Sequence, residues 1–208
     1  MASAISGFQA EPVQPRKVPQ QRRSIVLVDA LKTACLRILA EEGKEALSAA
    51  RLADVSGVAT ASIYEYFPNL EALVTQVLRE AAQHFHQAPG ATAMSLAADA
   101  PLLAVLEHLV RRTFEKRAYL AGLHRQVYLR YTAYFESVEV GDIEKLLLRH
   151  SRQIDVPDLR IAALVVTAVL QQTTRSLLHE DLLQTKSEET RHMLVRMLHA
   201  ALVPPNPE

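Results

Sequence analysis

From Ser24 to Glu41, large apolar residues return in steps of three and four: Val28, Leu31, Cys35, Ile38 and Leu39. That spacing lines one face of an α-helix. Gly43 follows and suits a C-terminal cap, because glycine enters the left-handed region without steric cost. A second, short helix is predicted from Ser48 to Val55, with the Ser48 hydroxyl as its N-cap. Ser56-Gly57-Val58 makes a tight turn, and a third short helix runs from Thr60 to Phe67. Pro68-Asn69 then breaks the chain, and Asn69 is placed to cap a fourth helix. The apolar stripe of that helix is Leu70, Leu73, Val74, Val77, Leu78, Ala81 and Phe85.

Pro89-Gly90-Ala91-Thr92 is expected to be a loop. Helical periodicity then covers roughly 101–117, 119–135, 139–153, 158–180 and 187–203. Thr185 and Glu188 have the spacing of a capping box for the last of these. Strand alternation and internal repeats are both absent from the pattern. The expected fold class is all-α, with an N-terminal three-helix helix-turn-helix domain and a C-terminal helical domain. The boundaries are a disordered arm over 1–21, the helix-turn-helix domain over 22–68, the second domain over 69–203 and a proline-rich tail over 204–208.

Composition narrows the function. The chain of 208 residues is 49% apolar and 22% charged, which fits a globular protein with a sizeable core. Its formal net charge is zero, so bulk charge does not mark a nucleic-acid binder. A lone cysteine, Cys35, excludes an internal disulfide framework and suits a reducing cytoplasm; on its apolar stripe it is expected to be a core residue. The longest apolar run, Ile161 to Leu170, is about half what a bilayer requires. The N-terminal stretch has no apolar core before a cleavage site, so no signal peptide is expected and the location is taken as cytoplasmic. There is no glycine-rich phosphate loop, no G-x-S-x-G and no H-E-x-x-H. His84 and His86, two apart, point to different faces of a helix and cannot readily share an ion. No catalytic residue, metal or cofactor is therefore expected, and the protein is not expected to be an enzyme.

Two short helices joined by a glycine turn, the second bearing outward polar and aromatic residues, form a helix-turn-helix pattern. Leu52, Ala53, Val58 and Ile63 would lock the pair against the first helix, leaving the other side chains to reach DNA. Between Arg23 and Val74 the ordered series Gly43, Leu52-Ala53, Gly57-Val58, Ile63-Tyr64, Phe67 and Glu71-Ala72-Leu73 closely resembles the N-terminal domain of TetR-family transcriptional regulators. The resemblance implies a homodimer that places its third helices in the major grooves of a palindromic double-stranded operator. It also implies a C-terminal pocket for a small organic effector, and hence a ligand-responsive regulator, expected to be a repressor released by that effector. Under the resemblance, Ser48 opens the second helix, Thr60, Ala61 and Ser62 face bases, and Tyr64 and Tyr66 touch phosphates or bases.

The chain departs from the family pattern at several positions. Where a hydroxyl residue is common at 49, a polar one at 50, a serine at 59 and a lysine at 70, this chain has Ala49, Ala50, Ala59 and Leu70. Ala50 and Ala61 still offer methyl groups to thymine. From Lys44 to Val74, Lys44 and Arg51 face Glu45, Asp54, Glu65 and Glu71, a net of two minus four, or −2. The cations Arg16, Lys17, Arg22 and Arg23 would offset this by reaching the DNA backbone or a minor groove, or else belong to a solvated tail. The functional alternative is an all-helical effector-binding or protein-interaction dimer with weakened operator binding.

In the C-terminal half, His124, Tyr128, Tyr131 and Phe135 fall at steps of 4, 3 and 4 and share a helical face. That face is either a pocket wall for a flat organic ligand or a plain core or dimer face. Phe114, Gln171 and Arg175 complete the candidate ligand set; Arg175 would meet a ligand carboxylate or an ion-pair partner. Leu164 and Ala168, with Leu194, Met197, Leu198 and Ala201 on the last helix, are the candidate intersubunit four-helix bundle.

Overall fold

A computed structural model describes residues 15–17, 19–87, 96, 99–131, 140–183 and 185–203. The described residues form helices α1 (Arg22–Glu41), α2 (Ala49–Ser56), α3 (Thr60–Tyr66), α4 (Leu70–Gln87), α5 (Leu102–Arg130), α6 (Val140–Arg149), α7 (Leu159–His179) and α8 (Ser187–Leu202). Short 3-10 turns occur at Lys44–Ala46 and Ser151–Gln153. No strand occurs among the described residues, and the fold is all-α with an N-terminal helix-turn-helix, as the periodicity predicts.

The predicted stripe of α1 is its buried face: Val28, Leu31, Cys35, Ile38 and Leu39, joined by Ala34. Burial pushes the Cys35 thiol up to about 12, so it stays protonated and behaves as a small core hydrophobe. Helix α1 packs on α2, and α2 on α3. Two glycines make these reversals possible. Gly43 has φ +83 and Gly57 φ +69, angles that a side chain would strain. The Gly57 N–H donates to the Ala53 carbonyl at 2.9 Å and closes α2. Ser48 Oγ accepts from the Arg51 N–H at 3.1 Å, and Asn69 Oδ1 accepts from the Ala72 N–H at 2.8 Å, so both expected caps form. Helix α3 has no such cap. It opens at Ala59 without a side-chain bond, and Thr60 sits inside the helix.

The chain packs as two compact units, one running to Gln83 and taking in the stretch from Leu120, the other made of His84–Tyr119 and the C-terminal helices. Helix α5 therefore contributes to both. Where the periodicity predicts two helices, over 101–117 and 119–135, α5 is also two helical pieces, but the first runs on past residue 118. The intervening residues are good helix formers and nothing there stops the turn. The break comes later, at His124, whose φ of −159 and ψ of 85 are non-helical. His124 Nδ1 accepts from the Val127 N–H at 3.4 Å, so the side chain caps the piece that follows.

In the second unit, Val105 and Leu146 are buried together, with Leu96, Ala100 and Leu109 packed against them. The Gln153 side chain ties the start of α5: its Oε1 accepts from the Leu102 N–H at 2.8 Å and its Nε2 donates to the Ala100 carbonyl at 3.3 Å. The helix predicted over 139–153 ends at Arg149 and continues only as a 3-10 turn. Asp158 caps α7 by accepting from the N–H groups of Arg160 and Ile161 at 2.8 and 3.1 Å. The capping box expected at Thr185 and Glu188 does not form. The N-cap of α8 is Lys186, with no side-chain bond, and Thr185 Oγ1 donates back to the Leu182 carbonyl at 3.4 Å. Helix α7, with 21 residues, is long and apolar enough by length and composition to cross a bilayer, although its unbroken apolar run is short. Its Ala163, Val166, Leu170 and Leu178 are buried, and it packs on α6 and α8.

Candidate nucleic-acid interface

Helix α3 is divided between two environments. Ile63 and Phe67 are 0% and 1% exposed and fix it to the domain. Thr60, Ala61, Tyr64 and Glu65 face solvent, Tyr64 with 41% of its surface, while Ser62 and Tyr66 are half-buried. The four-residue step from Ile63 to Phe67 puts both on the inner face and leaves Tyr64 and Glu65 on the outer one. On α2, Ser48 at the cap and Ala50 are exposed, as are Arg22 and Arg23 at the start of α1.

The two cations between residues 44 and 74, Lys44 and Arg51, are held by acids. Arg51 reaches Glu42 through Nε at 3.0 Å and Nη2 at 2.9 Å, and Asp54 through Nη1 at 2.6 Å. The hydrogen bonds from Arg51 hold the Glu42 carboxyl below its ordinary range, and those to Glu42 raise Arg51 in turn. Lys44 Nζ lies 3.4 Å from Glu45. The charge count over 44–74 contained the excess of acid but not the Glu42 contact, which crosses the turn between α1 and α2 with no periodic spacing to announce it.

At the other end of α3, Arg16 is docked, where the sequence predicts disorder. Its backbone N–H donates to the Tyr66 carbonyl at 2.8 Å and its Nη1 to the Tyr64 carbonyl at 3.3 Å. These are among the carbonyls that a helix end leaves without partners of its own.

The first turn of α4 is tied to the end of α5 inside the same unit. Glu71 accepts from Arg130 Nη1 at 2.7 and 2.8 Å and from the Tyr131 hydroxyl at 2.5 Å. The Tyr131 hydrogen bond, then Arg130, hold the Glu71 carboxyl below its usual value against the opposing effect of burial. Burial, then the charge of Lys44, lowers His124, and a neutral ring is what its Nδ1 needs in order to accept from Val127. Leu70, one residue before Glu71, is half-buried.

The residues expected to line a ligand pocket fall in both units. His124, Tyr128 and Tyr131 belong to the first, where Tyr128 and Tyr131 are 1% and 5% exposed. Phe114, buried, and Gln171 and Arg175, half-buried, belong to the second. Phe135 lies outside the described residues. Of the expected dimer residues, Leu164, Ala168, Met197 and Ala201 are exposed, whereas Leu194 and Leu198 are buried in the core of their own unit. Ile161, Val165 and Met193 are exposed and were missed; they stand one helical turn from Leu164, Ala168 and Met197.

Comparisons with known proteins follow this geometry. The family profile described as bacterial regulatory proteins, tetR family, matches residues 32–77. No curated protein matches the chain in sequence. Among solved structures, the fatty acid degradation regulator FadR from Bacillus halodurans is 17% identical with a TM-score of 0.51, covering 86% of this chain and 97% of its own. NalD of Pseudomonas aeruginosa, described as the secondary repressor of the MexAB-OprM multidrug efflux pump, is 17% identical with a TM-score of 0.51, over 89% of this chain and 100% of its own. RolR in complex with resorcinol is 20% identical with a TM-score of 0.53, over 89% and 99%. At these identities the neighbours show a shared fold. The class so defined is an all-helical fold that opens with a helix-turn-helix. Within that fold, residues 32–77 are what resembles the profile of bacterial regulatory proteins of the tetR family.

Two outcomes test this surface. Leu70→Lys adds a cation where the family pattern has one. It is expected to tighten DNA binding and steepen the dependence of log K on log salt by about one unit, measured by fluorescence anisotropy over a salt series. Glu71 has a depressed pKa in the fold, so its contribution to stability is present above the unfolded value of about 4.3 and is lost as pH falls through the lower folded value. Glu71→Gln should therefore flatten the acid limb of a stability-versus-pH profile and lower stability near neutral pH, both read by chemical denaturation.

Proposed function

We propose that this protein is a homodimeric transcriptional regulator that binds a palindromic operator through α3 and is released from it by a small organic effector. One observation carries most of this: the short α3 is pinned by Ile63 and Phe67 while Thr60, Ala61 and Tyr64 stand free on its outer side. Such a helix presents a few side chains to base edges and phosphates in a major groove. Ser48, Ala50, Ser62, Tyr66, Arg22 and Arg23 complete the proposed contact set. A protein of this kind acts where chromosomal DNA lies, in the cytoplasm, and catalyses no reaction.

The dimer is proposed to form through the exposed apolar stripes of α7 and α8. Ile161, Leu164, Val165, Met193 and Met197 are each between 48% and 61% exposed, more apolar surface than two helices ordinarily leave in water. The effector is proposed to meet the C-terminal helices, with Phe114, Gln171 and Arg175 as its contacts in the second unit. RolR, a fold neighbour, carries the small aromatic resorcinol. Tyr131 is engaged by Glu71 and is better suited to transmission: a shift at the end of α5 would pull on the first turn of α4, directly after α3.

A second possibility rests on one specific observation. Arg51 and Lys44 stand beside carboxylates, and Leu70 replaces a cation, so operator affinity would be weak. A mobility shift with the DNA flanking the protein's own gene separates the two. A specific complex in low salt, dissociated by an effector found in a ligand screen, supports the regulator. No specific complex with any flanking fragment would contradict it. In the same preparations, Leu164→Asp with Met197→Asp is expected to halve the sedimenting mass and to abolish the shift.

A further inference from the structure

We infer that Arg16 and Lys17 form a cationic edge of the DNA interface, docked on the C-terminal end of α3. This rests on the DNA-binding role proposed above. The N–H and guanidinium of Arg16 occupy the carbonyls of Tyr66 and Tyr64, the two residues whose side chains are expected at the DNA. A cation at a helix C-terminus is also favoured by the helix dipole. The contact therefore serves α3 in two ways: it satisfies orphan carbonyls of a helix that lacks a side-chain cap at its other end, and it holds the chain beside the recognition surface. Lys17 follows directly and is exposed.

Charge gives the edge its purpose. The segment 44–74 is net −2, and adding Arg16 and Lys17 makes −2 + 2, or zero. Within that segment Arg51 spans Glu42 and Asp54, and Lys44 is beside Glu45, so neither is placed to approach phosphate without giving up a partner. The docked arm thus supplies positive charge at the surface where phosphate must be met. Arg16 is a positioning residue, and Lys17 is the group assigned to the phosphate backbone. Such a contact carries no sequence information, so its loss weakens all duplexes alike.

The test uses the full-length chain, the DNA upstream of its own gene and an unrelated duplex of equal length. Lys17→Ala is expected to reduce the salt slope by about 0.9 and to weaken both duplexes by the same factor, one that shrinks about 3.5-fold as salt rises fourfold. Arg16→Ala, which loses the guanidinium bond to the Tyr64 carbonyl but keeps the backbone bond to Tyr66, should reproduce part of this loss, while Arg16→Lys keeps the cation and restores part of the slope. Wild-type binding with an unchanged slope in Lys17→Ala would overturn the arm contact and leave the operator reading standing. No wild-type binding to either duplex would overturn both. Without DNA, the Arg16 amide should be protected from hydrogen exchange; free exchange at that amide would overturn the docking itself.

Discussion

A helix of seven residues does not hold its shape in water alone, because its nucleation cost exceeds what so few backbone bonds return. Helix α3 persists because Ile63 and Phe67 are buried and the helix packs on α2, whose Leu52 is buried too and which packs in turn on α1. Everything proposed for the outer face depends on that anchorage. If the inner side slips, Thr60, Ala61 and Tyr64 lose their common orientation. The left-handed turn at Gly57 is the second half of the same constraint, since it sets where α3 begins relative to α2.

Electrostatics then act on a surface whose shape is already settled. The N-terminal domain carries its cations where acids hold them, as at Arg51, and leaves Leu70 apolar. Tight binding to a polyanion needs positive charge from somewhere. The exposed Arg22 and Arg23, with the docked Arg16 and its neighbour Lys17, are sources of it on this chain. Glu71, acidic and close to that surface, is engaged by Arg130 and Tyr131, so its charge serves the attachment of α4 to the end of α5.

How much could be read from the sequence follows from what is local. The α1 stripe, the Ser48 and Asn69 caps and the Gly57 turn depend on neighbours a few residues away, and the structure has each of them where spacing predicts it. On α3, Thr60, Ala61 and Tyr64 are exposed and Ser62 and Tyr66 half-buried, so the face assigned through the family resemblance is only in part an outward one. Contacts between distant segments were not legible: Arg16 meets Tyr64 and Tyr66 across some fifty residues, and Glu71 meets Tyr131 across sixty. Tyr131 shared a face with His124 and Tyr128 in the pattern, but periodicity does not say what a face packs against. The break inside α5 was expected near residue 118 and lies at His124, a residue with no strong breaking tendency.

The claim on which the rest stands is that paired α3 helices read one face of an operator. Hydroxyl-radical footprinting of the full-length protein on the DNA upstream of its gene tests it most directly. Two protected patches on the same face of the duplex, about one helical turn or a multiple of it apart and related by a dyad in the sequence, are the predicted result. Even protection along the fragment, with no dyad and no preference over unrelated DNA, would contradict it.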